Sequence, residues 1–463
     1  MKNFYRLGFF AIIIAILSCK REDPVIPKDE DMTNGDISEW IYYHMNYIYL
    51  WEDYIPQGLN PLSEDNPKKF FDSILYKVED KWSYITDDYA SFALDLEGTP
   101  VAVGYSPAFG RFSSSDKVFM VVKYVIKDTP ASESGLERGD IIIKIDGTQL
   151  DTLNYHDFYD LDSYTVGLAE YNDSTLMETG ETISLTAEII SANPVLHHEI
   201  IDTSGIKAGY LVYSNFISGT EDIFLREIDM VISDFINAGI SELIVDLRYN
   251  PGGEITTAGY LASTIAPLIN VQNEDVLVSY LYNEYLENYY LDHYDTPGAL
   301  DFEFPGSVFN LNLNTVYFLT TEGSASASEL LISGLEPYMD VIIIGESTFG
   351  KYTGAWVFPD NYEPARHNWA MIPIVLKYAN ALGVTDFKDG LSPDYFIEDD
   401  ILKAVPFGDL SDPMLAATIA LITGEEPIQT KKSMTQLPYQ KIYSPEQDIR
   451  RNLFIPTYNN FKK

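Results

Sequence analysis

Residues 315–329 read TVYFLTTEGSASASE, and the arrangement of the rest of the chain follows from this stretch. Thr315 to Thr320 is a short apolar run rich in β-branched and aromatic side chains, the pattern of a buried strand. From Ala327 to Leu335 the residues are helix formers, with Leu330, Leu331 and Leu335 at helical spacing. Gly323 to Glu329, GSASASE, therefore sits on a strand-to-helix turn. Small side chains let a substrate backbone approach closely, and the free amides of a first helical turn suit developing negative charge. A serine at such a turn has a chemical task available to it.

A serine hydroxyl is a poor nucleophile until a neighbouring group takes its proton. None of the six histidines (His44, His156, His197, His198, His293, His367) stands in a triad motif. Lys351 is the better candidate for the base, because it follows a second apolar run, Val341 to Ile344, and the turn Thr348-Phe349-Gly350. If the two runs are neighbouring strands of one parallel sheet, both turns lie at its carboxyl edge, where open α/β sheets place their sites. A desolvated lysine loses its proton near neutral pH and can then act as base.

GSASASE, the VIIIGESTFGK stretch ending at Lys351 and DLRYNPGG at Asp246 to Gly253 together resemble the carboxyl-terminal processing peptidases, also called tail-specific proteases. The resemblance implies Ser326 as nucleophile and Lys351 as base, 25 residues apart as in that family. It implies an oxyanion hole made from a backbone amide of Gly252 or Gly253 together with that of Ala327. The expected fold is multidomain α+β and α/β: a small helical N-terminal domain, a PDZ-like β-domain and a ClpP/crotonase-like α/β peptidase core. Many members carry a glutamine four residues after the lysine to orient it, whereas this chain has Ala355, so Tyr352, Thr353 or a residue elsewhere has to hold the amine. That departure keeps a second reading open, a catalytically inactive peptide-binding lipoprotein on the same scaffold. Neither reading calls for a metal or an organic cofactor.

The 463 residues, 46% hydrophobic and 14% aromatic, suffice for two or three packed domains. Seventy acidic against 30 basic residues give a net charge of −40, which disfavours nucleic acid and anionic membrane surfaces as partners. Met1 to Cys19 reads as a targeting segment: Lys2 and Arg6, then the apolar Leu7 to Leu17, too short to span a bilayer. Its end, Ile16-Leu17-Ser18-Cys19, resembles the bacterial lipobox, which implies lipid on Cys19, the one cysteine in the chain. The expected location is a bacterial cell envelope, periplasmic or outer-surface, with membrane contact only through that anchor.

In chain order the expected divisions are a leader (1–19), a Pro-rich charged tether (20–31), the helical domain (32–88), the PDZ-like domain (89–195), the peptidase core (196–425) and a tail (426–463). The helical domain should hold one aromatic-faced helix over Ile37 to Tyr54 and a second over about Pro67 to Glu79, with Val78 in the shared core. Asp80-Lys81-Trp82-Ser83 resembles a D-x-x-S stretch of related peptidases. Strands are predicted at Val118 to Ile126 and Asp140 to Asp146; with Thr129-Pro130-Ala131, Ser134-Gly135-Leu136 and Arg138-Gly139-Asp140 between them, they resemble a PDZ signature. Its carboxylate loop should lie near Gly104 or Gly110. A polar loop is predicted at Asn172 to Gly180, a capping box at Ser218 and Glu221, a surface insertion at Gln272 to Phe309, a strand at Met371 to Leu376 and a helix at Pro413 to Ile422. Asp389 to Asp394 resembles a DGxxPD segment that closes the family's catalytic domain. Expected partners are unfolded proteins or proteins with an exposed carboxyl terminus, which a PDZ module takes by strand addition.

Overall fold

A computed structural model of the chain describes residues 32–427 and 439–442, apart from 113–114, 173–174, 294–299 and 363. The leader, Cys19, the tether and most of the tail lie outside the described residues.

Helix α1 (Asn34–Ile48) begins where it does because Thr33 and Asp36 cap it reciprocally, the Thr33 N–H donating to Asp36 at 2.8 Å and the Asp36 N–H to the Thr33 hydroxyl at 3.2 Å. It ends six residues before Tyr54, at Ile48; the chain then turns through a 3-10 segment that leaves Tyr54 58% exposed. Helix α2 (Pro67–Ile74) starts at its proline and buries Phe70, Phe71 and Ile74, but Val78 falls past its end and is 71% exposed. The expected helical N-terminal domain packs directly on the core. Trp40, Ile41 and Phe71 share one apolar cluster with Leu243, Phe318, Leu330 and Tyr352, and strand β1 (Tyr84–Thr86) pairs with a strand of the catalytic half.

Next comes an antiparallel β-domain of β2 (Tyr105–Phe112), β3 (Val118–Val125), β4 (Ile141–Ile145), β5 (Ser163–Asn172) and β6 (Thr175–Thr186), bonded in that order. The apolar runs predict β3 and β4 correctly. The predicted loop Asn172 to Gly180 is instead mostly hairpin, with Asn172 opposite Thr175 and Ala169 opposite Glu178. This end of the hairpin is largely exposed on both faces, so its strand carries no alternation to read. Gly104 precedes β2 with a φ of 93°, whereas Gly110 lies inside the strand over the Phe119 ring.

The catalytic half is built on a six-stranded sheet ordered β7-β8-β9-β12-β13-β18, where β7 is Val195–Thr203, β8 Ile206–Tyr213, β9 Glu242–Asp246, β12 Thr315–Thr320, β13 Asp340–Gly345 and β18 Tyr395–Phe396. All but the β7–β8 pair run parallel. Its strands are apolar on both faces because both are covered. Helices α3 (Ile223–Ala238), α4 (Ile255–Ile265) and α6 (Ala327–Leu335) pack with Leu243, Val245 and Phe318 on one side. Helix α7 (Pro413–Ile422) packs with Ile244, Tyr317 and Leu319 on the other. The predicted capping box ahead of α3 does not form. Ser218 gives its N–H and hydroxyl to Glu254 at 3.0 and 3.2 Å, and Glu221 and Asp222 take positive φ of 55° and 59°.

The stretch 272–309 is no surface insertion. It contributes β10 (Val276–Tyr282), α5 (Glu284–His293) and β11 (Asp301–Glu303), and Leu277, Val278 and Phe304 are buried. β10 joins a second sheet ordered β11-β10-β17-β14, with β14 at Thr353–Ala355 and β17 at Ile374–Asn380. The single strand predicted at 371–376 is two. Pro373, which cannot donate to a ladder, separates β17 from β16 (Ala370–Ile372), and β16 lies between β1 and β15 (Phe358–Pro359). A last strand, β19 (Tyr439–Ile442), returns to the β-domain and pairs with β2.

Candidate active site

β12 and β13 are parallel neighbours, Thr315 opposite Asp340 through Thr320 opposite Gly345. The turns that follow them therefore emerge at the same sheet edge, and Ser326 and Lys351 both lie there, fully buried. Three serines compete for attention in GSASASE, and hydrogen bonding separates them. The Ser324 hydroxyl donates to the Leu247 carbonyl at 2.7 Å and the Ser328 hydroxyl to the Asn250 carbonyl at 3.0 Å. The Ser326 hydroxyl oxygen is buried and, among the described residues, has no hydrogen-bond partner. Its backbone, at φ 61° and ψ −112°, is in a region that non-glycine residues rarely adopt. A strained turn of this kind presents a nucleophile at the head of a helix.

Glu329 organises the surroundings. Its side chain, fully buried, accepts from four donors: the Ser326 N–H at 2.8 Å, the Thr348 hydroxyl at 2.5 Å, the Gly350 N–H at 2.6 Å and the Lys351 N–H at 2.8 Å. One carboxylate thus ties the serine turn to the lysine turn. Burial pushes the Glu329 carboxyl upward, opposed by those same hydrogen bonds. The Lys351 ammonium is lowered to about 7 by burial, while the charges of Glu329 and Asp80 resist the fall. Tyr378, on β17, adds a second tie, its hydroxyl lying 3.2 Å from both the Ser326 and Lys351 carbonyls.

The Asn250-Pro251-Gly252-Gly253 turn packs on the same point. A Cβ on Gly252 would come within 2.7 Å of Ser326 Cβ, so only glycine fits. The Asn250 carbonyl accepts from the Ala325 N–H at 3.1 Å, and its side-chain oxygen accepts from the Gly252 N–H at 2.9 Å. The second bond commits the Gly252 amide to Asn250; Gly253 follows it, and Ala327 is the first residue of α6.

Residues 207–396 match the family model described as Peptidase family S41, residues 36–84 the Peptidase S41 N-terminal domain and residues 121–161 a PDZ domain. Residues 207–396 are thus an S41 peptidase domain. The chain is 21% identical over 457 residues to the carboxyl-terminal-processing protease of Synechocystis sp., covering 93% of this chain and 96% of the relative. To the carboxyl-terminal-processing protease of Picosynechococcus sp. it is 23% identical over 402 residues, covering 84% and 86%. The crystal structure of a Bacteroides fragilis protein assigned to the S41 proteases matches with a TM-score of 0.69 and 24% identity, over 86% of this chain and 99% of that one, which shows a shared fold. With that domain the chain is a serine-type peptidase, and the reading of an inactive binding scaffold gains no support.

In this S41 chain neither nearby candidate for the missing glutamine takes its place. The Thr353 hydroxyl is buried without a partner, and the Tyr352 ring packs between Trp82 and Phe387 at 6.2 and 5.8 Å. Asp80 acts on Lys351 through its charge, which favours the protonated amine. Buried, it accepts the Trp82 and Ser83 N–H groups at 3.0 and 2.9 Å and the Tyr49 hydroxyl at 2.7 Å. Ser83 in turn accepts the N–H of Ile374, which is in register with Ala355. Beside the S41 site lies a cleft of about 2290 Å³ between the PDZ domain and the core, lined by Gly253, Phe216, Tyr105 and Phe358. Sequence reasoning assigned no role to Glu329, Asn250, Tyr378 or Asp80. Glu329 left a signal, as the lone acid in a run of small residues on an apolar helix.

Proposed function

We propose that the chain is a lipid-anchored serine endopeptidase that cleaves unfolded or tagged proteins near their carboxyl termini, with Ser326 as nucleophile and Lys351 as its base. The observation that carries this reading is the Glu329 carboxylate, which holds the backbones of an unpartnered buried serine and of a lysine titrating near neutrality in one hydrogen-bonded unit. Neutral Lys351 takes the hydroxyl proton as Ser326 Oγ attacks the scissile carbonyl, then returns it to the leaving amine; water resolves the acyl-enzyme. The amides of Gly253 and Ala327 receive the developing oxyanion. Asp80 orients the Lys351 amine in place of the glutamine that Ala355 replaces. The PDZ domain takes the substrate's carboxyl-terminal segment as an added strand near Gly104, and the anchor at Cys19 keeps the enzyme on a membrane of the cell envelope.

Incubating the solubilised enzyme with a disordered protein that ends in apolar residues, and following fragments by mass spectrometry, tests the reading. Ser326→Ala is expected to abolish cleavage with the fold intact, and Lys351→Ala to lower turnover by about 10³-fold or more. Undiminished cleavage by either variant would remove the dyad. Radiolabelled fatty acid incorporated by the intact chain and lost in Cys19→Ala checks the anchor.

A further inference from the structure

Strand β2 is the outermost strand of the PDZ domain proper, and a bare outer edge is a row of unpaired amides and carbonyls open to another chain. Part of that edge is already taken. β19 lies antiparallel along it, with Tyr439 opposite Phe112, Gln440 opposite Arg111, Lys441 opposite Gly110 and Ile442 opposite Phe109. These residues come from the tail, more than 300 positions away along the sequence.

The strand is held by more than its ladder. Tyr439 is buried, its ring edge-on to Phe119 at 5.4 Å, and its hydroxyl bonds Asp400 at 3.1 Å and the Ile401 N–H at 3.2 Å. Ile442 packs on the β-domain cluster that contains Phe109 and Met120. Lys441 lies 3.3 Å from Glu346, in the turn that leads from β13 to Lys351. One four-residue strand thus touches the PDZ sheet, the closing segment of the core and the lysine turn. Antiparallel pairing also points it along β2 toward Gly104, the direction an added peptide takes when its carboxyl end is held at the loop before the strand. Its pairing covers Phe109 to Phe112 and stops short of Tyr105, where β2 begins.

We propose that the outer edge of β2 from Phe109 to Phe112 is a docking site for an internal extended segment of the form aromatic-x-cation-aliphatic, that Tyr439–Ile442 is its resident occupant, and that a peptide lying along the whole of β2 has to displace it. A peptide that lies along β2 past Phe109 competes with the tail strand, and displacement breaks the Lys441–Glu346 contact to the lysine turn. The inference is independent of which residue serves as catalytic base.

The test uses a fluorescent peptide spanning residues 436–445 (QLPYQKIYSP), titrated by anisotropy into the full chain carrying Ser326→Ala so that the probe is not cut. A tethered strand competes at an effective concentration on the order of millimolar, so adding Tyr439→Ala and Ile442→Asp to the chain should tighten peptide binding by about tenfold or more. Hydrogen exchange at Phe109 to Phe112 should quicken in that variant and slow again once peptide is added. Equal affinity for both chains, or exchange unchanged by the substitutions, overturns the proposal. Should the double substitution impair folding, Lys441→Glu keeps the apolar contacts and sets like charge against Glu346; it should tighten binding in the same direction, and no change with it is equally fatal.

Discussion

At Ser326 two costs fall on one residue. A buried hydroxyl without a partner forfeits about 1–3 kcal/mol, and a non-glycine residue held at φ 61° a similar amount. Neither cost serves packing, since Ser324 and Ser328 on the same turn are fully bonded. Lys351 adds a third. Folding lowers its affinity for a proton from the ordinary lysine value of 10.5 to about 7, so between those pH values the unfolded chain binds more protons and stability rises with pH. Lys351→Met should therefore raise the unfolding free energy at pH 7 by about 2–5 kcal/mol, a gain that fades toward pH 10 in denaturant titrations. If Lys351 is the base, as proposed, its neutral amine is the working form, and kcat/KM should climb with pH through about 7 and then level off. Both turns could be read from sequence because glycine and small residues mark them. The four-donor role of Glu329 could not, since three of its four donors lie on or next to the lysine turn and reach it only once β12 and β13 pair.

Among the elements, the sequence predicts well those whose burial pattern is simple. β12, α6 and α7 match their expected bounds, and β13 extends its apolar run by a residue at either end, because each is apolar throughout or at helical spacing. Failure came where tertiary contacts override local pattern: β10 is buried by the second sheet, Asn283 after it donates to the Tyr47 and Tyr49 carbonyls at 2.9 Å, and nothing in the tyrosine-rich run announces either. The joint between α6 and the lysine turn is the element contact that matters most for chemistry. Glu329→Gln keeps the shape but replaces one acceptor oxygen with a donor that faces N–H groups. The loss of about 2–4 kcal/mol should appear as a lowered Tm. Turnover should fall further than stability alone accounts for, because the two turns are no longer held together; a Tm and kcat equal to those of the parent would show that Glu329 has no such role.

On the scale of the whole molecule, the N-terminal segment is part of the catalytic body. It shares the main core, its strand β1 extends the β16 sheet, and the Leu50 N–H donates to the Ile374 carbonyl at 2.9 Å. Through that seam Asp80 is brought to the side of β14 where Ala355 leaves no polar group. If Asp80 serves only as a local turn former, Asp80→Asn should cost little, because the amide oxygen can still accept from Trp82 and Ser83. If it acts on Lys351, removing its charge takes away a term that raises the lysine pKa, and the rising limb of the kcat/KM profile should move to lower pH. The orienting role predicts in addition a lower kcat on the plateau with KM little changed, since substrate binding is untouched. A limb that stays in place while only the Tm falls would return Asp80 to the turn.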